Sequence, residues 1–265
     1  ETIQAYKEQC VGMAANMIGY LKTMMVVLDE NNQICYKSYE RHKAQVRQKA
    51  LDKLVELKKY TKEPFKFAIS GSGALGLCEQ GELPFVQEVF ASATGVSKLY
   101  PETNCAIELG GEDAKILFFQ GSVEQRMNST CAGGTGAFID QMSTLLNMSL
   151  EEMNEASLNY HRLYPIASRC GVFAKTDIQP LINQGVDKCD LCASIFQAVV
   201  DQTITSLAQG RKIEGNILFL GGPLYFMSGL RKRFVETLKL SDVQVNCPET
   251  AINFVALGTA ICADQ

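Results

Sequence analysis

The stretch Asn128-Ser129-Thr130-Cys131-Ala132-Gly133-Gly134-Thr135-Gly136-Ala137-Phe138 decides how this chain is read. A cysteine and a glycine-rich run stand directly before apolar residues at helical spacing: Phe138, Ile139, Met142, Leu145 and Leu146. A helix starting there leaves backbone N–H groups without intrahelical partners, at the end where partial positive charge collects. Such an end suits an anion: a nucleotide phosphate, a thiolate, or a cluster of thiolates and sulfides. The plainer alternative is a glycine turn with Cys131 as a small buried hydrophobe.

Upstream, a strand over Cys105 to Leu109 ends in Gly110-Gly111-Glu112-Asp113, and a second strand follows from Ala114 to about Phe119. Glu108 and Asp113 therefore flank two glycines. Carboxylates beside a glycine turn suit Mg²⁺ held through water, with phosphate against the backbone; a solvated hairpin turn is the alternative. Gly71-Ser72-Gly73-Ala74-Leu75-Gly76 matches G-x-G-x-x-G after a strand at 65–69. Pro84 and a helix over 85–99 stand where the dinucleotide motif requires a second strand and an acidic residue, so a strand-to-helix turn explains it better. Before it, the spacing predicts a helix over 1–22, a hairpin of strands near 24–29 and 34–39, and a helix over 46–60.

Downstream, Ser149 and Glu152 form a capping box. Residues 164–173 read as extended, Thr176 caps a short helix ending at Gly185, and a long helix runs from 188 to 209. Its Cys189 and Cys192 make a lone C-x-x-C inside a helix, read as incidental. A buried strand at 216–220 is broken by Gly221-Gly222-Pro223, where a flat ring or a phosphate approaches the backbone closely. A helix over 228–240 and a strand near 243–246 precede a last helix, whose small residues Ala256, Gly258 and Ala260 allow a close crossing.

Composition sets the outer limits. At 265 residues the chain fits two medium domains, and 46% hydrophobic with 20% charged residues is ordinary for a globular protein. A net charge of −4 offers no electrostatic footprint for nucleic acid or an anionic membrane. No apolar run approaches the roughly 20 residues of a spanning helix, and residues 1–10 lack the basic start and apolar core of a signal peptide. Ten scattered cysteines without such a leader point to a reducing, cytoplasmic setting.

Four segments recur in a telling order: 108–115, 127–138 with Cys131, 168–177 with Cys170, and Leu220-Gly221-Gly222-Pro223. Together they resemble the BadF/BadG/BcrA/BcrD ATPase family, the activators of 2-hydroxyacyl-CoA dehydratases and the ATPase parts of benzoyl-CoA reductase. The likeness is nearest to the first activase domain of the long, multi-domain members. The resemblance implies an α/β fold of the actin/Hsp70/sugar-kinase type with two ribonuclease-H-like lobes, here 1–130 with the returning helix 253–265, and 131–252. It implies ATP or ADP with Mg²⁺ at Glu108, Gly110, Gly111, Asp113, Gly133, Gly134, Thr135, Gly136, Gly221, Gly222 and Pro223. It also implies a homodimer sharing one [4Fe–4S] cluster through Cys131 and Cys170 of each copy, and an acyl-CoA dehydratase or reductase as electron acceptor.

The resemblance breaks at one place. The family's acidic first phosphate loop is replaced by Met17-Ile18-Gly19-Tyr20-Leu21-Lys22-Thr23, with Met17 where the Mg²⁺-linked aspartate is expected. A second reading follows: a nucleotide-binding scaffold lobe of a larger activase, with weak or no hydrolysis. A third is a small-molecule kinase with Asp177 as base, which leaves the two cysteines without a purpose.

Overall fold

The computed structural model describes residues 12–18, 22–29, 31–41, 45–60, 65–128, 133–167 and 171–263. In chain order the first elements are β1 (Gly12–Ile18), β2 (Lys22–Leu28), β3 (Ile34–Arg41), α1 (Val46–Tyr60), β4 (Phe65–Ser70), α2 (Leu75–Gly81) and α3 (Glu88–Leu99). Then come β5 (Cys105–Leu109), β6 (Ala114–Phe118), β7 (Glu124–Asn128), α4 (Gly136–Leu146), α5 (Leu150–Ser157), α6 (Gly171–Asn183) and α7 (Lys188–Thr203). The chain closes with β8 (Ile217–Leu220), α8 (Gly222–Phe226), α9 (Ser228–Leu238), β9 (Val245–Asn246) and α10 (Phe254–Cys262). Two compact units result, one of residues 1–101 with 252–265, the other of residues 102–251.

In the first unit a four-stranded sheet runs in the order β3-β2-β1-β4. The helix expected over 1–22 is, over its described part, the strand β1. It pairs antiparallel with β2, from Met13 opposite Leu28 to Ile18 opposite Thr23. On its other side it pairs parallel with β4, from Gly12 opposite Phe65 to Met17 opposite Ser70. Short apolar runs fit helix and buried strand equally well, and two flanking strands supplied the deciding hydrogen bonds. Beside the sheet, α10 crosses α3 very closely: a Cβ on Gly258 would stand 2.0 Å from the Ala91 carbonyl oxygen. Of the small residues of the last helix, Gly258 serves that crossing.

The second unit holds a five-stranded sheet, β7-β6-β5-β8-β9. β5, β8 and β9 are parallel neighbours, while β6 and β7 join antiparallel. One face of the sheet, carrying Ile107, Leu109, Ile116 and Phe219, packs on Phe138, Met142, Ile178, Phe196 and Val199 from α4, α6 and α7. Each such side chain contributes about 1.5–3 kcal/mol by leaving water. On α5 the expected capping box is present, with Ser149 Oγ accepting from Glu152 N–H at 3.1 Å and Glu152 Oε2 accepting from Ser149 N–H at 2.8 Å.

Several expectations change here. The unit boundary falls at 101/102 rather than 130/131, because β5, β6 and β7 hydrogen-bond into the sheet of β8 and β9. β7 was not anticipated: Glu124-Gln125-Arg126-Met127-Asn128 is a polar edge strand without an apolar run. Thr176 lies inside α6, its hydroxyl donating to the Val172 carbonyl at 2.9 Å, so it caps nothing. α7 passes into a π-turn at Ile204–Ala208, whose Leu207 and Ala208 carbonyls accept from Arg126 of β7. The run Lys188–Ala208 is long and apolar enough to cross a membrane, yet its side chains Leu191, Ile195, Phe196 and Val199 are core.

Cys105 and Cys192 are buried, and burial pushes both thiols up to about 12 from the usual value near 9.0. Folding therefore keeps them neutral where the unfolded chain ionises them. The stability they contribute is complete below pH ~9 and is lost as pH rises toward 12, by up to ~1.4 kcal/mol per pH unit for each thiol. Denaturant midpoints measured between pH 8 and pH 11 should fall, and the Cys105→Ala/Cys192→Ala double variant should flatten that fall.

Candidate functional site

β5 and β8 run side by side and parallel, so their carboxyl ends lie together. At those ends stand Gly110-Gly111 and Gly221-Gly222-Pro223. Gly221 has φ 88 and ψ 161, a region essentially closed to side chains. A Cβ there would stand 2.0 Å from the Leu109 carbonyl oxygen, so the backbone after β8 rests directly on the end of β5. The turn after β5 is closed by Gly110 N–H donating to the Asp113 carbonyl at 2.8 Å.

The amino end of α4 meets both turns. Gly136 N–H donates to the Gly110 carbonyl at 3.0 Å, and Ala137 N–H donates to the Gly111 carbonyl at 2.7 Å. A Cβ on Gly136 would lie 3.3 Å from Pro223 Cγ and 3.4 Å from Gly111 Cα. Three glycine-rich turns that are far apart in sequence therefore converge, and Gly133, Gly134 and Thr135 are buried beside them. The expected anion cradle is narrower than the sequence suggested: two N–H groups of the first turn of α4 already serve the glycine carbonyls. Gly134, with φ 82, leans on α7, where a Cβ would meet Gln202 Cγ at 3.2 Å. Gln202 carried no sequence signal, since it sits in an ordinary helical pattern.

Electrostatically the turn centres on a lysine. Glu108 and Lys115 lie directly opposite one another on β5 and β6, 6% and 2% exposed. Lys115 Nζ is 3.3 Å from Glu108 Oε1 and 2.8 Å from Asp113 Oδ2. The two carboxylates expected to hold Mg²⁺ thus share an internal cation. The one-for-one pairing of residues 108 and 115 across a four-residue turn was the sequence signal for it. Two carboxylates with nucleotide phosphates and water form an adequate Mg²⁺ site. No group of three or more His, Cys, Asp or Glu side chains assembles among the described residues.

Cys131 and Cys170 lie outside the described residues, as do Gly19, Tyr20 and Leu21 between β1 and β2. Gly171, the neighbour of Cys170, begins α6 against α4, where a Cβ would be 2.7 Å from Gln141 Oε1. Asp177 accepts from Ala167 N–H at 2.7 Å. It lines a cavity of about 600 Å³ with Tyr164, Ser194, Gln197 and Asp201, which shares no residue with the glycine turns.

The sequence model of a known family matches residues 18–263. This chain belongs to the BadF/BadG/BcrA/BcrD ATPase family. The activator of lactoyl-CoA dehydratase from Anaerotignum propionicum is 28% identical over 220 residues, covering 82% of each chain. Component A of the (R)-2-hydroxyglutaryl-CoA dehydratase of Acidaminococcus fermentans superposes with a TM-score of 0.84 at 23% identity, covering 96% of this chain and 100% of that one. The activator of the 2-hydroxyisocaproyl-CoA dehydratase from Clostridium difficile, solved with bound ADPNP, gives 0.82 at 24%, covering 95% and 94%. The expected family, its ATPase class and the actin/Hsp70/sugar-kinase-like fold are borne out.

For this BadF/BadG/BcrA/BcrD ATPase the Gly221 backbone is the most exacting element of the site. Gly221→Ala should cost about 1–3 kcal/mol from backbone strain alone, lowering Tm by ~2–4 °C per kcal/mol. Thermal melts should register that loss, whereas Gly76→Ala, where nothing lies within 4 Å of the added methyl, should melt close to wild type.

Proposed function

We propose that this chain is an ATP-dependent iron–sulfur activator that delivers a low-potential electron to a 2-hydroxyacyl-CoA dehydratase or a benzoyl-CoA-reductase-like partner. The observation that carries the reading is the meeting of Gly110-Gly111, Gly136 and Pro223 at the carboxyl ends of β5 and β8, in a member of this ATPase family. In it, Gly110, Gly111 and the turn Gly133-Gly134-Thr135-Gly136 hold the polyphosphate. Gly221, Gly222 and Pro223 let the adenosine lie against bare backbone. Glu108 and Asp113 orient the water shell of Mg²⁺. The ADPNP of the C. difficile activator supports a nucleotide in this role.

Cys131 and Cys170 are the thiolates of this reading. One chain offers two, a cubane takes four, and a two-fold homodimer supplies the rest. When bound, a [4Fe–4S] cluster would carry the single electron. The chain's own part is mechanical. Cys131 precedes α4 by five residues in the sequence, and the first N–H groups of α4 are bonded to the Gly110 and Gly111 carbonyls, so few residues of chain separate the phosphate-holding turn from the cysteine. Ten scattered cysteines support a reducing, cytoplasmic setting.

A second reading, a nucleotide-binding scaffold without turnover, is favoured by Met17, which stands in β1 where the family carries an aspartate. ATP affinity and steady-state hydrolysis separate the two, since tight binding without phosphate release supports the scaffold.

Protein purified without oxygen should be brown, contain about four irons and four sulfides per dimer, and give a reduced-cluster EPR signal. Cys131→Ala and Cys170→Ala should each abolish it. A colourless, iron-free wild type after reconstitution would overturn the electron-transfer reading.

A further inference from the structure

Lys115 has no part in the nucleotide reading, yet its charge is closely held. Its ammonium is buried, 2% exposed, and directly contacts both carboxylates that flank the glycine turn. Glu108 is itself 6% exposed. A lysine placed so is not ornamental: Glu108 is buried while Asp113 is 29% exposed, and two carboxylates that share one neighbour repel one another unless a cation lies between them. A divalent ion approaching Asp113 meets a carboxylate whose Oδ2 already holds the ammonium at 2.8 Å.

We propose that Lys115 is a positioning residue that acts as the built-in counter-cation of the Gly110-Gly111 turn. It holds the Asp113 carboxylate in place, neutralises the turn toward an incoming polyphosphate, and lowers the demand for divalent metal there. The inference rests on the nucleotide reading above, but the lysine–metal competition exists without nucleotide. Removing the ammonium takes one positive charge away from beside Glu108 and Asp113, so the turn attracts a divalent ion more strongly and a free polyphosphate less.

Two measurements on the full chain test this. First, Mn²⁺ is titrated into nucleotide-free protein, with free Mn²⁺ followed by EPR. Lys115→Met and Lys115→Gln should bind Mn²⁺ at least ~10-fold more tightly than wild type, while Lys115→Arg, which keeps the charge, should stay near wild type. Folded neutral variants with unchanged Mn²⁺ affinity would overturn the proposal, because a merely structural lysine would alter only the melting temperature. Second, wild-type protein is titrated with ATP in EDTA and with MgATP. Affinities within ~10-fold support the counter-cation, and a loss beyond ~100-fold in EDTA overturns it even if the variants do not fold. ATP binding in neither buffer, alongside tightened Mn²⁺ binding in the variants, would sink the nucleotide reading and leave the lysine's role standing.

Discussion

Two hydrogen bonds tie the site together: Gly136 N–H to the Gly110 carbonyl and Ala137 N–H to the Gly111 carbonyl. A tight turn after β5 has carbonyls that a hairpin alone leaves to water, and the start of α4 has N–H groups that the helix alone leaves unpaired. Each satisfies the other. The bonds demand that helix and turn approach to backbone contact, so a Cβ at residue 136 would press within 3.3 Å of Pro223 Cγ and 3.4 Å of Gly111 Cα. The same demand recurs at Gly221, stacked on the Leu109 carbonyl. Glycine at 136 follows from distance, and at 221 from distance together with a backbone conformation closed to side chains.

The charges obey a parallel logic. The face of β5 and β6 that carries Ile107 and Ile116 is apolar core, and the other face carries Glu108 opposite Lys115. Burying ions costs several kcal/mol per charge unless each finds a partner. The lysine contacts a carboxylate at the strand and another in the turn. The strand pairing therefore sets the electrostatics of the turn. Farther along the edge, Glu124 joins Arg126 and Arg211, while Arg126 reaches the last carbonyls of the π-turn. β7, the strand leading toward Cys131, is pinned at its start by ions and at its length by the ladder with β6.

Much of this was legible in the residues. β5 and β6 around Gly110-Gly111, α4 after the glycine run, the capping box at Ser149 and the strand broken by Gly221-Gly222 all carry local signals: period, caps and turn residues. Where the signals were silent or two-sided, the reading failed. β1 is apolar at spacings that suit helix or strand, and its neighbours β2 and β4 decided. β7 is polar except for Met127 and is a strand because β6 offers an edge. Thr176 had the chemistry of a cap, but α6 begins earlier, at Gly171.

The sequence by itself determined the family, the glycine turns, the carboxylates beside them and the two cysteines, because these depend on residue type and order. Only the tertiary structure decided that the turns meet, that α4 spends two of its first N–H groups on glycine carbonyls, and that Lys115 lies between Glu108 and Asp113. The turns meet across 112 residues of chain, from Leu109 to Gly221, a closeness fixed by strand register and helix packing that no local pattern encodes, while the Lys115 contacts are local and follow the β5–β6 register.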